Sequence, residues 1–120
     1  MVQPLIREYS FGYIVVDNEG FSRDIIITPE KIIPNWWRIE GHYLVLEDIT
    51  KYVDIEKLVF DAVVIGTGYD GLMKVDPKVV EWFKSRGVDV YIGNSRESVK
   101  KYNELVKKGF RVLAMFHLTC

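Results

Sequence analysis

Three glycines in one short segment are the feature of this chain that most suggests ligand chemistry. Residues 66–71 read Gly-Thr-Gly-Tyr-Asp-Gly, the G-x-G-x-x-G spacing of dinucleotide sites, and they follow an apolar run over residues 58–65. Glycines at this spacing let backbone amides approach a pyrophosphate closely. The segment therefore raises the hypothesis of a nucleotide-binding loop.

The surroundings of these glycines do not fit a dinucleotide fingerprint. Its third glycine should lie in the first helical turn, whereas Gly71 precedes the best helix start, Asp76-Pro77, by five positions. The next predicted strand ends at Ile92 without the acidic residue that would hold a ribose hydroxyl. Asp70 and Asp76 also place negative charge where a phosphate would bind. The sequence favours glycines that shape a turn, and it predicts no cofactor.

A small polar site at the same place remains an alternative. The loops over residues 66–75 and 93–95 follow the predicted strands that end near Ile65 and Ile92. Consecutive parallel strands put such loops at one edge of a sheet, where the ligands of open α/β sheets usually lie. A small-molecule binder or weak enzyme would use this edge, and the candidate residues are Gly66, Thr67, Gly68, Tyr69, Asn94 and Ser95.

Other residues capable of chemistry lack partners in the sequence pattern. Asp24 and Asp61 stand among apolar residues with no matched base or nucleophile, so both are interpreted as structural. His42 and His117 are far apart and are interpreted as packed or solvated. A single cysteine, Cys120, excludes an internal disulfide and cysteine-based zinc spacing. The sequence predicts no catalytic residue and no metal site, and it leans against an enzyme.

Composition narrows the classes of function further. The chain has 120 residues, 48% of them hydrophobic, and its 16 basic and 17 acidic residues nearly cancel. Such a balance provides no strong field for attracting nucleic acid. The N-terminus lacks the pattern of a secretion signal, and no apolar run approaches the length that spans a bilayer. We therefore expect a cytoplasmic protein without nucleic-acid or membrane partners.

The elements that would position the loops are clearest in the second half of the chain. Strands are predicted over residues 58–65, 88–92 and 110–118, the first of them buried on both faces. Between them, Asp76-Pro77 starts a helix that Gly87 ends, and Asn94 caps a helix that Gly109 ends. Right-handed crossovers would join this order into a largely parallel part of a sheet.

The first half of the chain predicts a β-hairpin followed by irregular structure. Residues 9–16 and 21–28 flank a turn at 17–20, in which Gly20 suits the left-handed position. Trp36 and Trp37 follow in a stretch broken by prolines; adjacent side chains face opposite ways, so we expect one in the core and the other partly exposed. A short strand over residues 43–46 and a short helix over 47–52 come next.

Together these elements predict a single three-layer α/β domain over residues 1–120. A mixed central sheet would contain the parallel β-α-β-α-β part, with the N-terminal hairpin added to the same or a second sheet. Asn103 falls on the inner face of the last helix, where we expect its amide to bond to backbone because an unsatisfied buried amide is costly.

Several residues, in this order along the chain, carry a resemblance to a known family: Gly12, Asp24 with Ile25 to Pro29, Trp36 or Trp37, Gly66-Thr67-Gly68 and Tyr102-Asn103. The chain is similar to the small α/β domain family that includes a mitochondrial complex I assembly factor and an adipogenesis-associated protein. The resemblance implies a three-layer fold with a mixed sheet, no established enzymatic activity, and action through protein contacts.

The leading functional hypothesis is accordingly a non-catalytic domain that contacts an unknown protein partner. An exposed Trp36 or Trp37 would supply an anchor of the kind common at interfaces. The alternative is the small-molecule site or weak enzyme at the loop edge. We expect a monomer or a weak homo-oligomer.

Overall fold

A mixed five-stranded sheet lies at the centre of the chain, as seen in a computed structural model that describes residues 3–120. The elements in chain order are β1 (Ile6–Ser10), β2 (Tyr13–Val16), β3 (Glu19–Phe21), β4 (Ile25–Ile27), β5 (Ile32–Ile33), β6 (Tyr43–Leu44), α1 (Glu47–Thr50), β7 (Ala62–Thr67), β8 (Lys74–Val75), α2 (Pro77–Ser85), β9 (Asp89–Gly93), α3 (Ser95–Lys107) and β10 (Val112–His117). The central strand order is β5-β4-β10-β7-β9.

The C-terminal half forms the predicted parallel part of this sheet. Strand β7 pairs in parallel with both β10 and β9, and every residue of β7 and β10 is buried. The strand predicted over residues 58–65 begins later than expected, at Ala62. Residues before it are in a turn, where the Leu58 amide bonds to Asp54 O at 2.9 Å. Helices α2 and α3 start at the predicted caps, with Asp76 Oδ1 and Asn94 Oδ1 accepting backbone amides.

The N-terminal hairpin exists, but its boundaries differ from the prediction. Residues 6–21 form an antiparallel three-stranded sheet, β1-β2-β3. A turn at Gly12 divides the hairpin strand predicted over residues 9–16. Asp17, with φ of 51°, occupies the left-handed position expected of Gly20. The predicted second strand splits as well, since β4 leaves the hairpin and pairs antiparallel with β10 in the central sheet. The predicted short strand and helix correspond to β6 and α1.

Two apolar cores, one on each face of the central sheet, make the domain three-layered. Residues of α3, β1 and β2 pack on one face, where Tyr102 and Phe116 are fully buried. Residues of α1, α2 and the long connections pack on the other, where Trp36, Phe83 and Met115 are buried. Alternate residues of β10 serve the two cores, so the strand ends with Phe116 facing α3 and His117 on the opposite face.

Candidate functional site

Three charged or titratable side chains meet at the end of β10. Asp24 Oδ2 lies 2.7 Å from Arg38 Nη1 and 2.8 Å from His117 Nδ1. Asp24 Oδ1 accepts a hydrogen bond from the Leu118 amide at 2.8 Å. The pairing of Phe116 with Ile25 sets this geometry, because the same antiparallel register carried one residue further brings Asp24 beside His117. We call these three side chains the Asp24–Arg38–His117 cluster.

Arg38 reaches the cluster from the loop between β5 and β6. Its guanidinium carbon lies 4.7 Å from the centre of the Trp36 ring, and Nη2 donates to Gly41 O at 3.0 Å. Stacking on an indole and bonding to a carboxylate are both well suited to a planar guanidinium. Arg38 is 7% exposed and His117 is 6% exposed, so the ionic contacts are made away from water.

The surroundings of Asp24 keep it ionised. Burial by itself would raise the pKa of this carboxyl, but hydrogen bonds from His117, the Leu118 amide and Arg38 lower the pKa below its ordinary value. Asp24 therefore acts as an acceptor, and the proton on His117 is assigned to Nδ1, which donates to it. The opposite nitrogen, Nε2, is left as an acceptor in the neutral ring and as a second donor in the imidazolium form.

Two buried nitrogens of the cluster have no partner. Within residues 3–120, neither Arg38 Nε nor His117 Nε2 makes a hydrogen bond. Buried polar atoms without a partner are uncommon in native proteins, and each calls for an explanation. The other core-facing polar group that the sequence suggested, Asn103, is satisfied as expected: its amide donates to Ile6 O and accepts from Ile6 N, both at 2.8 Å.

A pocket of about 430 Å³ opens beside the cluster. Apolar, polar and charged residues form its wall, and the lining residues are Arg23, Asp24, Asn35, Trp36, Trp37, Arg38, Ile39, Gly41, His117 and Thr119. A volume of this order suits a small ligand or an inserted side chain. A second cavity, about 560 Å³, lies between residues 46–56 and Trp82, but neither unpartnered nitrogen belongs to its lining.

The Asp24–His117 pair invites comparison with a catalytic triad, in which a carboxylate orients a histidine toward a nucleophile. Within residues 3–120, His117 Nδ1 donates to Asp24, Arg38 Nη2 lies 3.0 Å from the same nitrogen, and no hydroxyl or thiol is hydrogen-bonded to the ring. The ring of His42 approaches that of His117 edge-on at 6.0 Å between centres. In the part of the chain that the structure describes, the pair therefore lacks the nucleophile of a triad.

The cluster adds to the sequence interpretation of two residues, and for Asp24 it overturns the expectation that no base is matched to it. The sequence pattern indicates a structural Asp24 with no matched base or nucleophile and a His117 that is packed or solvated; the fold joins the two to each other and to Arg38. The sequence pattern does not indicate Arg38 as a site residue. Its signal was weak: one basic residue between Trp37 and Ile39 in an irregular stretch. Asp61, also interpreted as structural, forms a two-point ion pair with Arg111 at the surface.

The glycine segment lies close to the predicted polar residues of the next loop, as parallel strands require. Thr67 Oγ1 donates to Gly93 O at 3.0 Å, and Ser95 Oγ accepts from the Gly68 amide and donates to His117 O. Asn94 caps α3. The polar side chains at this edge therefore have partners within the chain.

Close packing explains the glycines themselves. A Cβ on Gly66 would meet Ser95 and Phe116, and one on Gly68 would meet the backbone of residues 119–120. Gly68 also has a φ of 106°, which favours glycine. Tyr69 covers the outer side of this edge: its amide bonds to Thr119 O, and its ring lies under the Arg96 guanidinium.

The two adjacent tryptophans separate as the alternation of side chains predicts. Trp36 is 4% exposed, and its Nε1 donates to Asp48 O at 2.9 Å. Trp37 is 69% exposed and Ile39 is 77% exposed, both at the rim of the pocket. These side chains lie on the face of the sheet that carries the His117 ring, away from the polar groups of the glycine segment.

Two further features concern ions and membranes. Within residues 3–120, no group of three or more His, Cys, Asp or Glu side chains is arranged to hold a metal ion. Among the same residues, no helix combines the length and the apolar character needed to cross a membrane.

Comparisons with solved structures agree with this fold. A conserved hypothetical protein from Pyrococcus horikoshii OT3 is 28% identical, with a TM-score of 0.77 over 96% of this chain and 98% of that one. An outer membrane protein from Bartonella henselae is 18% identical (TM-score 0.80, 99% and 98% covered), and a Bordetella pertussis protein described as a Mth938-like domain is 20% identical (TM-score 0.73, 96% and 85% covered). At these identities the last two show a shared fold only.

The family comparison covers nearly the whole chain. Residues 6–117 match the family described as "Protein of unknown function (DUF498/DUF598)". The match includes all the residues of the Asp24–Arg38–His117 cluster and the glycine segment. The chain therefore belongs to the DUF498/DUF598 family.

Proposed function

We propose that this domain binds another protein through a ridge formed by the exposed side chains of Trp37 and Ile39. The main support for this proposal is that these two large apolar side chains are 69% and 77% exposed and flank the buried Arg38 at the rim of one pocket. Exposed aromatic side chains beside a pocket are typical anchors of protein interfaces. The partner in this proposal is a protein with an apolar patch, since the ridge itself carries no charge.

The backbone of the ridge is held in place although its side chains face solvent. The Trp37 amide donates to Tyr52 Oη at 3.1 Å, and the Ile39 amide donates to Asp48 Oδ1 at 3.0 Å. Such anchoring supports the proposal because a surface that is already ordered loses less conformational entropy on binding.

An assembly role through such contacts is the finer form of the proposal. It draws on the resemblance to the family that includes a complex I assembly factor. We propose a cytoplasmic protein, monomeric or weakly self-associating, that recognises one partner without catalysing a reaction.

Site-specific photo-crosslinking in cells of the native host tests the ridge. A benzophenone amino acid placed at Ile39 should give one dominant protein adduct, identified by mass spectrometry. The matched control is the same probe at Val59, which is 60% exposed on a different surface. Equal adducts from both positions, or adducts only with a second copy of this chain, would refute the proposal.

Binding of the purified partner then gives a quantitative test. Trp37→Ala should weaken binding about 30-fold or more, the effect of removing a hot-spot residue worth about 2 kcal/mol. Phe11→Ala, which removes another exposed aromatic ring, should leave the affinity unchanged. Similar losses for both variants would indicate a nonspecific apolar contact and contradict the assignment.

A small-molecule site at the loop edge of residues 66–75 and 93–95 stays a second, less supported proposal, because its polar side chains already have partners. Thermal-shift screening with nucleotides, sugars and metabolites tests it. A ligand at 100 times its dissociation constant would add about 2.7 kcal/mol of stability. A screen without a shift would leave the ridge as the remaining proposed site.

A further inference from the structure

We propose that this chain forms a dimer in which β9 pairs antiparallel with β9 of a second copy, so that the two central sheets join. Strand β9 lies at one end of the order β5-β4-β10-β7-β9, and within residues 3–120 it pairs with β7 alone. A strand at the edge of a sheet exposes a row of backbone N–H and C=O groups with which another chain can pair. This contact is additional to the proposed ridge and does not depend on it.

Other edges of the sheets carry protection that β9 lacks. At the opposite end of the central sheet, β5 has two residues and is followed by Pro34. In the small sheet, the pairing of β1 is irregular between Ile6 and Glu8, and Asn103 bonds to the Ile6 backbone. Short strands, prolines and bulges are common means of blocking an edge. Strand β9 has five residues in regular pairing and contains neither lysine nor proline, so its edge is open to another strand.

The backbone groups of Val90 and Ile92 point away from the sheet. Thr67 Oγ1, on β7, donates to Gly93 O, so the carbonyl of Gly93 faces β7. Because successive residues of a paired strand direct their backbone groups to alternate sides, Tyr91 also faces β7, whereas Val90 and Ile92 face outward. No backbone hydrogen bond from a turn or loop within residues 3–120 reaches either of these two residues. Their N–H and C=O groups are therefore available to a second strand.

The sequence of β9 is complementary to itself about a two-fold axis at Tyr91. In that register Val90 lies opposite the partner's Ile92 and exchanges both N–H···O bonds with it, and the axis repeats the pair. Ile92 is 46% exposed, and the contact would cover it with an apolar side chain. The two Tyr91 rings would lie side by side on the opposite face, where aromatic cross-strand pairs are favourable.

Charge favours a second copy over an unrelated strand. Asp89 is exposed and forms no ion pair within residues 3–120. It would lie opposite the partner's Gly93, which directly precedes the Asn94 cap of α3. The N-terminal end of a helix has partial positive charge and attracts a carboxylate. The two Asp89 side chains would be about 14 Å apart, farther than the screening length of about 8 Å, so they would not repel strongly.

Sedimentation equilibrium of the full chain tests for this dimer. The mass should rise from 14.0 kDa toward twice that value between about 10 μM and about 1 mM, because a contact made by one short strand pair is small. Ile92→Lys, which places a charge on the open edge, should weaken dimerisation at least about tenfold. The matched control is Phe11→Lys at another exposed apolar position, which should leave the equilibrium unchanged. Circular dichroism of each variant establishes that it is folded.

Disulfide formation between two different variants tests the register. Val90→Cys and Ile92→Cys, each in a Cys120→Ser background, are mixed and oxidised. Opposite residues of a hydrogen-bonded pair have Cα atoms about 5.5 Å apart, within the range of a disulfide, whereas two copies of one variant would place theirs about 7–8 Å apart. The mixture should therefore form linked dimers at least about tenfold faster than either variant alone.

Several results would overturn the proposal. A mass of 14.0 kDa throughout this concentration range would refute the dimer, and equal weakening by Ile92→Lys and Phe11→Lys would refute β9 as its contact. Equal linking rates for the mixture and for either variant alone would refute the register about Tyr91. If the chain stays monomeric while acetyl-Val-Thr-Val-Thr-Val-amide shifts the nitrogen-15 NMR signals of Val90 and Ile92, the edge accepts a foreign strand in place of a second copy.

Discussion

Substitution of Asp24 by Asn gives the sharpest test of how the buried cluster stabilises the fold. The change keeps the size of the side chain and leaves one oxygen to accept from the Leu118 amide, so it removes mainly the charge. The new amide nitrogen would face Arg38 Nη1, now 2.7 Å from a carboxylate oxygen. Arg38, only 7% exposed, would then be a buried cation without its counter-ion.

The expected magnitude follows from this uncompensated charge. Removal of one member of a buried ion pair destabilises a protein by about 3–5 kcal/mol, whereas replacement of both members by neutral groups of similar volume is often close to neutral. We therefore expect Asp24→Asn and Arg38→Met each to lower the free energy of unfolding by about 3 kcal/mol. The double variant should lose at least about 2 kcal/mol less than the sum of the single losses.

Unfolding by guanidinium chloride, followed by tryptophan fluorescence, measures these free energies. With a slope of about 3 kcal/mol per molar, a loss of 3 kcal/mol moves the midpoint down by about 1 M. The matched control is Asp61→Asn with Arg111→Met, a pair at 2.8 Å whose side chains are 35% and 56% exposed, and its coupling should be below about 1 kcal/mol. Additive losses at Asp24 and Arg38, or equal coupling in the two cycles, would refute the reasoning.

Three further predictions concern stability. The pKa of Asp24 is lowered in the fold, so its charge stabilises the protein at pH values above the ordinary aspartate pKa of about 3.9. This contribution is lost as the pH falls through the lower pKa of the folded state. In denaturant titrations, the stability difference between wild type and Asp24→Asn should therefore shrink between about pH 5 and pH 2. Asn103→Ala removes two hydrogen bonds to the Ile6 backbone and should lower the free energy of unfolding by about 2–3 kcal/mol, whereas Asn103→Asp, which retains the acceptor, should lose less; equal losses would contradict this account. Gly68→Ala should lower the free energy of unfolding by at least about 2 kcal/mol more than Gly87→Ala, and its melting temperature should fall correspondingly further. Both glycines have positive φ, but only at Gly68 would a Cβ meet backbone atoms.

The parts of the fold that the sequence predicts are those controlled by local chemistry. Asp76 and Asn94 cap their helices as their positions indicate, because a cap depends on a side chain and the amides two or three residues later. The parallel strands follow from their apolar runs. The hairpin boundaries differ from the prediction, because Asp17 adopts the left-handed conformation that Gly20 would adopt more easily.

The Asp24–Arg38–His117 cluster was not predictable in the same way. Its members are separated by 14 and 79 positions, and no local spacing rule relates them. The antiparallel pairing of β4 with β10 brings Asp24 and His117 together, whereas the sequence pattern predicts the residues of β4 as part of the hairpin. Arg38 then depends on the path of an irregular loop.

The glycine segment shows that a G-x-G-x-x-G spacing can be required by close packing within the chain and not by a bound ligand. Gly66 and Gly68 lie where a strand end, the start of α3 and residues 119–120 pass within contact distance, so a side chain at either position would displace a neighbour. Dinucleotide sites also require glycine for close approach, but there the approaching group is a phosphate. Here it is Ser95, whose hydroxyl joins the Gly68 amide to His117 O. The segment thus holds the end of β10 in place from one face, while the His117 ring enters the pocket on the other.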